Sequence, residues 1–102
     1  MIVHVSMAIY KPQAGGQAKD ANVQLGKRMA EALEKEIPSL RHIEVGISQP
    51  PGEGGFDTVS YSEYDDMEAV KETIAHPAHE RLTAFLTEVT EVRNSATYEV
   101  NR

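Results

Sequence analysis

An α+β fold, in which one antiparallel four-stranded sheet carries helices on a single face, is predicted by three features of this sequence. Four stretches alternate β-branched or aromatic residues with period two, which suits half-buried strands. Two longer regions repeat apolar residues at helical spacing. The elements run β-α-β-β-α-(α)-β, and 102 residues suffice for one core, so a single domain over residues 1–102 is expected.

The first strand runs from Ile2 to Tyr10. Val3, Val5, Met7 and Ile9 share one side, and Ile2, His4, Ser6, Ala8 and Tyr10 share the other. Neither side is strongly charged, so both are expected to be covered. Lys11 to Gly16 breaks the pattern. Ala21, Leu25, Met29, Ala32 and Leu33 then mark a long helix that Pro38 stops. Leu40 to Ser48 alternates again, with Ile43, Val45 and Ile47 opposite His42, Glu44 and Ser48. Gln49 to Gly55 is rich in turn formers, and Phe56 to Tyr64 returns antiparallel. Asp65 followed by Glu68 reads as a capping box for a short helix whose stripe is Met67, Val70 and Ile74. Pro77 suits the first turn of a further helix with Ala78, Leu82, Phe85, Leu86 and Val89 buried. A last strand covers roughly Val92 to Val100.

This order matches the ferredoxin-like arrangement. Helices on one side leave the opposite sheet face open, where Val3, Val5, Met7 and Ile9, or their neighbours, would meet water unless a second sheet covered them. A homodimer joined through sheet faces is therefore expected.

Composition narrows the partners. A net charge of -6 with scattered Lys and Arg disfavours nucleic acid and anionic membranes. No apolar run approaches a membrane span and the N-terminus has no basic signal region, so a cytoplasmic location is expected. The chain has no cysteine, which removes disulfides, thiolate metal sites and cysteine nucleophiles. Gly15-Gly16 and Gly52 to Gly55 lack the spacing and lysine of phosphate loops and read as turns. His76 and His79 lack a third well-placed ligand, so no metal site is expected.

Three segments together carry a resemblance: Ile2-Val3-His4-Val5, then Ile37-Pro38 with Val45-Gly46, then the box Ala75-His76-Pro77-Ala78-His79. They resemble the stress-responsive dimeric A/B-barrel (Dabb) proteins over nearly the whole chain. The resemblance implies a homodimeric α/β barrel with pockets between sheet and helices. With no dinucleotide fingerprint in the sequence either, no cofactor is expected. One plant branch, olivetolic acid cyclase, closes a polyketide by aldol chemistry. Its general base falls on His79 and a further histidine on His4, but its catalytic tyrosine falls on Thr73, whose hydroxyl is far less acidic than a phenol.

His79 shares a helical side with Leu82 and Leu86, so its ring is expected to lean toward the sheet. It is the candidate catalytic residue, and the alternative is a histidine that only packs. His4, His79 and Tyr10 are the candidate ligand-binding residues, because the small side chains around His4 leave room for a cavity. His76, just before Pro77, reads as a helix cap. Three functions remain open: a binding domain for a small hydrophobic molecule, a cofactor-free cyclase or lyase with His79 as base, and an interaction dimer with a filled interior. In the second, Tyr10, Tyr61 or Tyr64 would have to supply the missing phenol.

Overall fold

The computed structural model describes residues 1–49 and 55–101. Strand β1 (Ile2–Tyr10) leads through a small hairpin, β2 (Gln13–Ala14) and β3 (Gln17–Ala18), into helix α1 (Lys19–Glu36). Strands β4 (His42–Ile47) and β5 (Thr58–Tyr64) follow, then α2 (Met67–Ala75), α3 (Pro77–Val89) and β6 (Thr90–Glu99). The sheet order is β4-β5-β1-β6, and every neighbouring pair is antiparallel. The expected α+β, ferredoxin-like architecture is therefore present. The expected turn over Gln49 to Gly55 lies largely outside the described residues.

The β2–β3 hairpin was not expected. Gly15 and Gly16 form its turn at φ 59° and 78°, a left-handed pair that glycine adopts without a Cβ penalty. Asn22 Nδ2 donates to the Ala14 carbonyl at 3.1 Å, which ties the hairpin to α1.

The buried stripe of α1 is Val23, Gly26, Ala30 and Leu33, with Asn22 beside it. The expected stripe holds only at Leu33: Leu25 and Met29 are half-buried, while Ala21 and Ala32 are exposed. The helix is rotated because Gly26 lets the Tyr10 ring lie against its backbone, where a Cβ would collide with the Tyr10 hydroxyl. Tyr10 packs with Ala8, Val23 and Val89 in one cluster. A second cluster joins Ile2, Leu33, Ile37 and Leu40 to Val45, Val70 and Leu82.

Helix α2 is capped by Asp66, not Asp65: its side chain accepts from the Ala69 amide at 2.9 Å, whereas Asp65 pairs with Arg41. Shifting the start by one residue buries Ala69, Val70 and Thr73 and exposes Met67 and Ile74. Helix α3 buries Ala78, Leu82 and Val89 as expected. Among the described residues, no helix is long and apolar enough to cross a membrane.

The helices cover one face of the sheet. On the other, Met7, Val59, Val92 and Tyr98 are exposed, with Val5 and Ile9 half-buried. Val45 belongs to the helix-covered core, because it pairs with Ser60 and so faces the same way as Ser6. Edge strand β4 is held from outside by α1: the Glu34 carboxylate accepts from the Ile43 amide at 2.9 Å and Glu31 from the Val45 amide at 3.0 Å. Lys27 donates to Glu31 and to the Val45 carbonyl.

The contact at Gly26 generates a stability prediction. Gly26→Ala should cost about 1–3 kcal/mol by overpacking. Adding Tyr10→Phe, which removes the obstructing hydroxyl, should recover most of the loss in a denaturant titration. Equal loss in the single and double variants would mean that the helix backbone, not the Tyr10 contact, sets the tolerance at this position.

Candidate functional site

Close packing normally fills the space between a sheet and its helices. Here the helix-facing side of β1 carries Ser6 at its centre, a side chain too short to fill the space under α3. A cavity of about 590 Å³ remains between the sheet and the helices.

Strand register orders its floor into rows. Ser62, His4 and Thr97 lie side by side across β5, β1 and β6, and Ser60, Ser6 and Ser95 form the next row. The roof comes from Leu33 of α1, Thr73 of α2, and His79, Thr83, Leu86 and Thr87 of α3. Leu40, Ile43 and Tyr64 complete one end, and Arg93 stands at the other side of the floor.

The His76–Pro77 step puts His79 over this floor. His76 ends α2 and starts α3, with its ring Nδ1 accepting from the Ala78 amide at 3.0 Å. Its ring is thus spent on capping, as expected. His79 then falls in the first turn of α3 on the side of Leu82.

His4 and His79 line the same cavity. His4 shares Nδ1 with the Thr97 hydroxyl at 2.8 Å, and His79 places Nδ1 3.5 Å from the Thr83 hydroxyl, a weak contact. Both Nε2 atoms lack a hydrogen-bond partner among the described residues. Burial holds each imidazole below its ordinary value near 6.5, and the neighbouring His4 charge pushes His79 further down, against a smaller opposing pull from Glu80. Two neutral imidazoles therefore face the cavity at pH 7.

Tyr10 is not brought to this cavity; it is 3% exposed within the cluster under α1. Tyr61 stands opposite Val5 on the uncovered face, where its hydroxyl donates to Glu63 at 2.7 Å. Tyr64 does line the cavity. The Ser62 hydroxyl lies 3.2 Å from its phenol oxygen and 3.4 Å from the His4 carbonyl, and burial raises the phenol pKa. Thr73 is fully buried, its hydroxyl donating to the Ala69 carbonyl at 2.9 Å and bonded to Ser39 at 2.7 Å. It has no proton left for an occupant. The alternation Ser60, Ser62, Tyr64 in β5 was the sequence signal that could have marked this tyrosine. His42 lies apart, between Glu44 at 2.9 Å and Glu34 at 3.0 Å. Among the described residues, no cluster of three or more His, Cys, Asp or Glu could hold a metal.

The family model of the stress responsive A/B barrel domain matches residues 2–100. The chain belongs to this family. A dimeric ferredoxin-like protein of unknown function from Bacteroides fragilis is 28% identical to this Dabb chain, covering 97% of it and 95% of the other at a TM-score of 0.79. Hydroxynitrile lyase from Passiflora edulis is 14% identical, covering 98% and 93% at 0.81. An antibiotic biosynthesis monooxygenase is 16% identical, covering 100% of both chains at 0.74. The last two likenesses concern the fold alone, on which different reactions are carried. No curated protein matches the Dabb chain in sequence.

The contrasting surroundings of the histidines should separate their titrations. By NMR, His4 and His79 should titrate below 6.5, and His42, raised first by its bond to Glu44 and then by Glu34, above it. The linkage signs are opposite. A depressed imidazole pKa takes stability away as pH falls from 6.5 through the folded value, and a raised one takes it away as pH rises from 6.5 through the folded value. If His79 titrates above His42, the buried placement of its ring is wrong.

Proposed function

We propose that this protein is a cytoplasmic homodimer that binds a small amphipathic molecule in the cavity between sheet and helices, without a cofactor. The observation that carries this reading is the cavity of about 590 Å³ whose walls join neutral His4 and His79 to a row of serines and to Leu33, Leu40 and Leu86. Such a mixture of apolar wall and a few convergent polar groups is the ordinary character of a ligand pocket. The hydroxyl-rich floor favours an occupant that carries oxygen functions on the small hydrophobic molecule that the sequence suggested. Nucleic acid and membranes are not partners in this reading, which the net charge of -6 supports.

The homodimer rests on the uncovered sheet face. Met7, Val59, Val92 and Tyr98 form an exposed apolar surface on it, and a symmetric face-to-face contact covers both copies at once, closing two sheets into an α/β barrel. The Bacteroides fragilis protein is described as dimeric.

A second reading is favoured by Tyr64. With His79 as base and the Tyr64 phenol in the same cavity, a proton next to a carbonyl could pass to His79 Nε2 while the phenol donates to the oxygen that gains charge. Tyr64 would then do what Thr73 cannot.

Light scattering should give twice the 11.3 kDa of one chain, and Val5→Asp should yield monomer or unfolded chain, since it sets an unpaired charge in a desolvated contact. For the cavity, the neutral dye Nile red should bind the wild-type protein, and Ser6→Leu, which fills the floor, should abolish its fluorescence gain while keeping the dimer. His79→Ala should leave stability within about 1 kcal/mol, since the ring is half-buried beside open space rather than packed. Undiminished dye binding by Ser6→Leu would remove the pocket from consideration, and a loss of several kcal/mol in His79→Ala would make that histidine a packing residue.

A further inference from the structure

The row Ser60–Ser6–Ser95 is unusual for a helix-covered sheet face, where apolar side chains are expected. All three residues line the cavity, and none of their hydroxyls has a hydrogen-bond partner among the described residues. One row further along, Ala8 separates Thr58 from Arg93. The Arg93 guanidinium donates to the Thr87 hydroxyl at 3.1 Å, which holds it beside the end of α3. Glu91 also lines the cavity, but among the described residues no carboxylate comes within the 4.0 Å of an ion pair with Arg93. The cavity thus has at one side a cation that no carboxylate of the described residues pairs, open hydroxyls in the middle, and two neutral imidazoles and a phenol beyond them.

We infer that Ser60, Ser6, Ser95 and Arg93 form one subsite that takes the carboxylate end of an oxygen-bearing, medium-chain ligand and so points its remainder toward His4 and His79. Arg93 supplies the planar, permanently charged fork that matches a carboxylate. The serines, about 4.8 Å apart from strand to strand, accept from or donate to oxygens along the chain. Arg93 and His4 stand four residues apart in register, about 13 Å along the strands. The subsite therefore holds a ligand whose polar head is remote from the imidazoles. Apolar Leu33 and Leu86 receive the carbon tail. This inference rests on the reading of the cavity as a binding pocket.

The test compares β-hydroxyoctanoate with its methyl ester at pH 7 by calorimetry, with the His4 and His79 imidazole signals followed by NMR. Wild-type protein should prefer the acid by about tenfold. Arg93→Met should bring acid and ester within about twofold of each other by weakening the acid alone. Ser6→Ala should weaken β-hydroxyoctanoate but leave octanoate unchanged, which reports on the serine row even if Arg93→Met were poorly folded. An acid preference that survives Arg93→Met, or equal wild-type affinity for acid and ester with both shifting the histidine signals, overturns the subsite while leaving the pocket intact. Absence of any binding up to millimolar concentrations overturns the subsite as well, and the Nile red experiment then decides separately whether the pocket reading falls with it.

Discussion

The register of β1 between its two neighbours is the constraint on which the rest of this molecule depends. From Ile2 to Ala8 the strand is paired residue by residue with β5 on one side and β6 on the other. In a sheet, slipping one strand by a single residue turns every side chain to the opposite face. Here a slip would carry Ser6 and His4 away from the helices and bring Val5 and Met7 under α3. That would fill the cavity and destroy the apolar outer face in one step. The hollow interior and the uncovered surface are thus two consequences of one pairing.

The second determinant is the break between α2 and α3. Pro77 cannot extend α2, and the His76 ring satisfies an amide that the new helix leaves free. A continuous helix would have rotated His79 off the floor, since the angular position of a helical residue is fixed by its count from the start. The two histidines of the box therefore have unlike tasks, one spent on backbone geometry and the other delivered to the cavity with Nε2 unoccupied.

Much of the fold was legible in the sequence, because period-two and helical spacing are local signals. The four long strands, the two helices after β5 and the capping role of His76 all follow from them. Where side chains smaller than the expected apolar type are buried, the spacing misleads. Gly26 and Asn22 turn α1 away from the stripe drawn through Leu25 and Met29, and Thr73 displaces Ile74 on α2. The site was legible only in part. His4 and His79 share the cavity because each lies at a position that a single element dictates. Tyr10 was placed there from its alternation with His4, yet it stands at the far end of β1, where α1 covers it. The serine row and Tyr64 depend on which residues of β5 and β6 lie beside β1, and cross-strand neighbours cannot be read from one strand at a time.

The treatment of the β4 edge has a consequence for the chain in crowded solution. An unpaired edge is a template for further strands, and two of the outward amides of β4 are occupied by the Glu31 and Glu34 carboxylates. The guard is electrostatic as well as geometric, since an incoming strand would have to displace ionised oxygens and bury its own carbonyls against them. The bonds from Lys27 and from the Val45 amide hold Glu31 below the usual carboxylate range, so that carboxylate keeps its charge to lower pH than a free one would. Strand β6, ten residues long and exposed beyond Thr90, has no such carboxylate screen from a helix among the described contacts. The molecule is therefore polarised across its width, with one margin sealed against its own kind and the other left sociable.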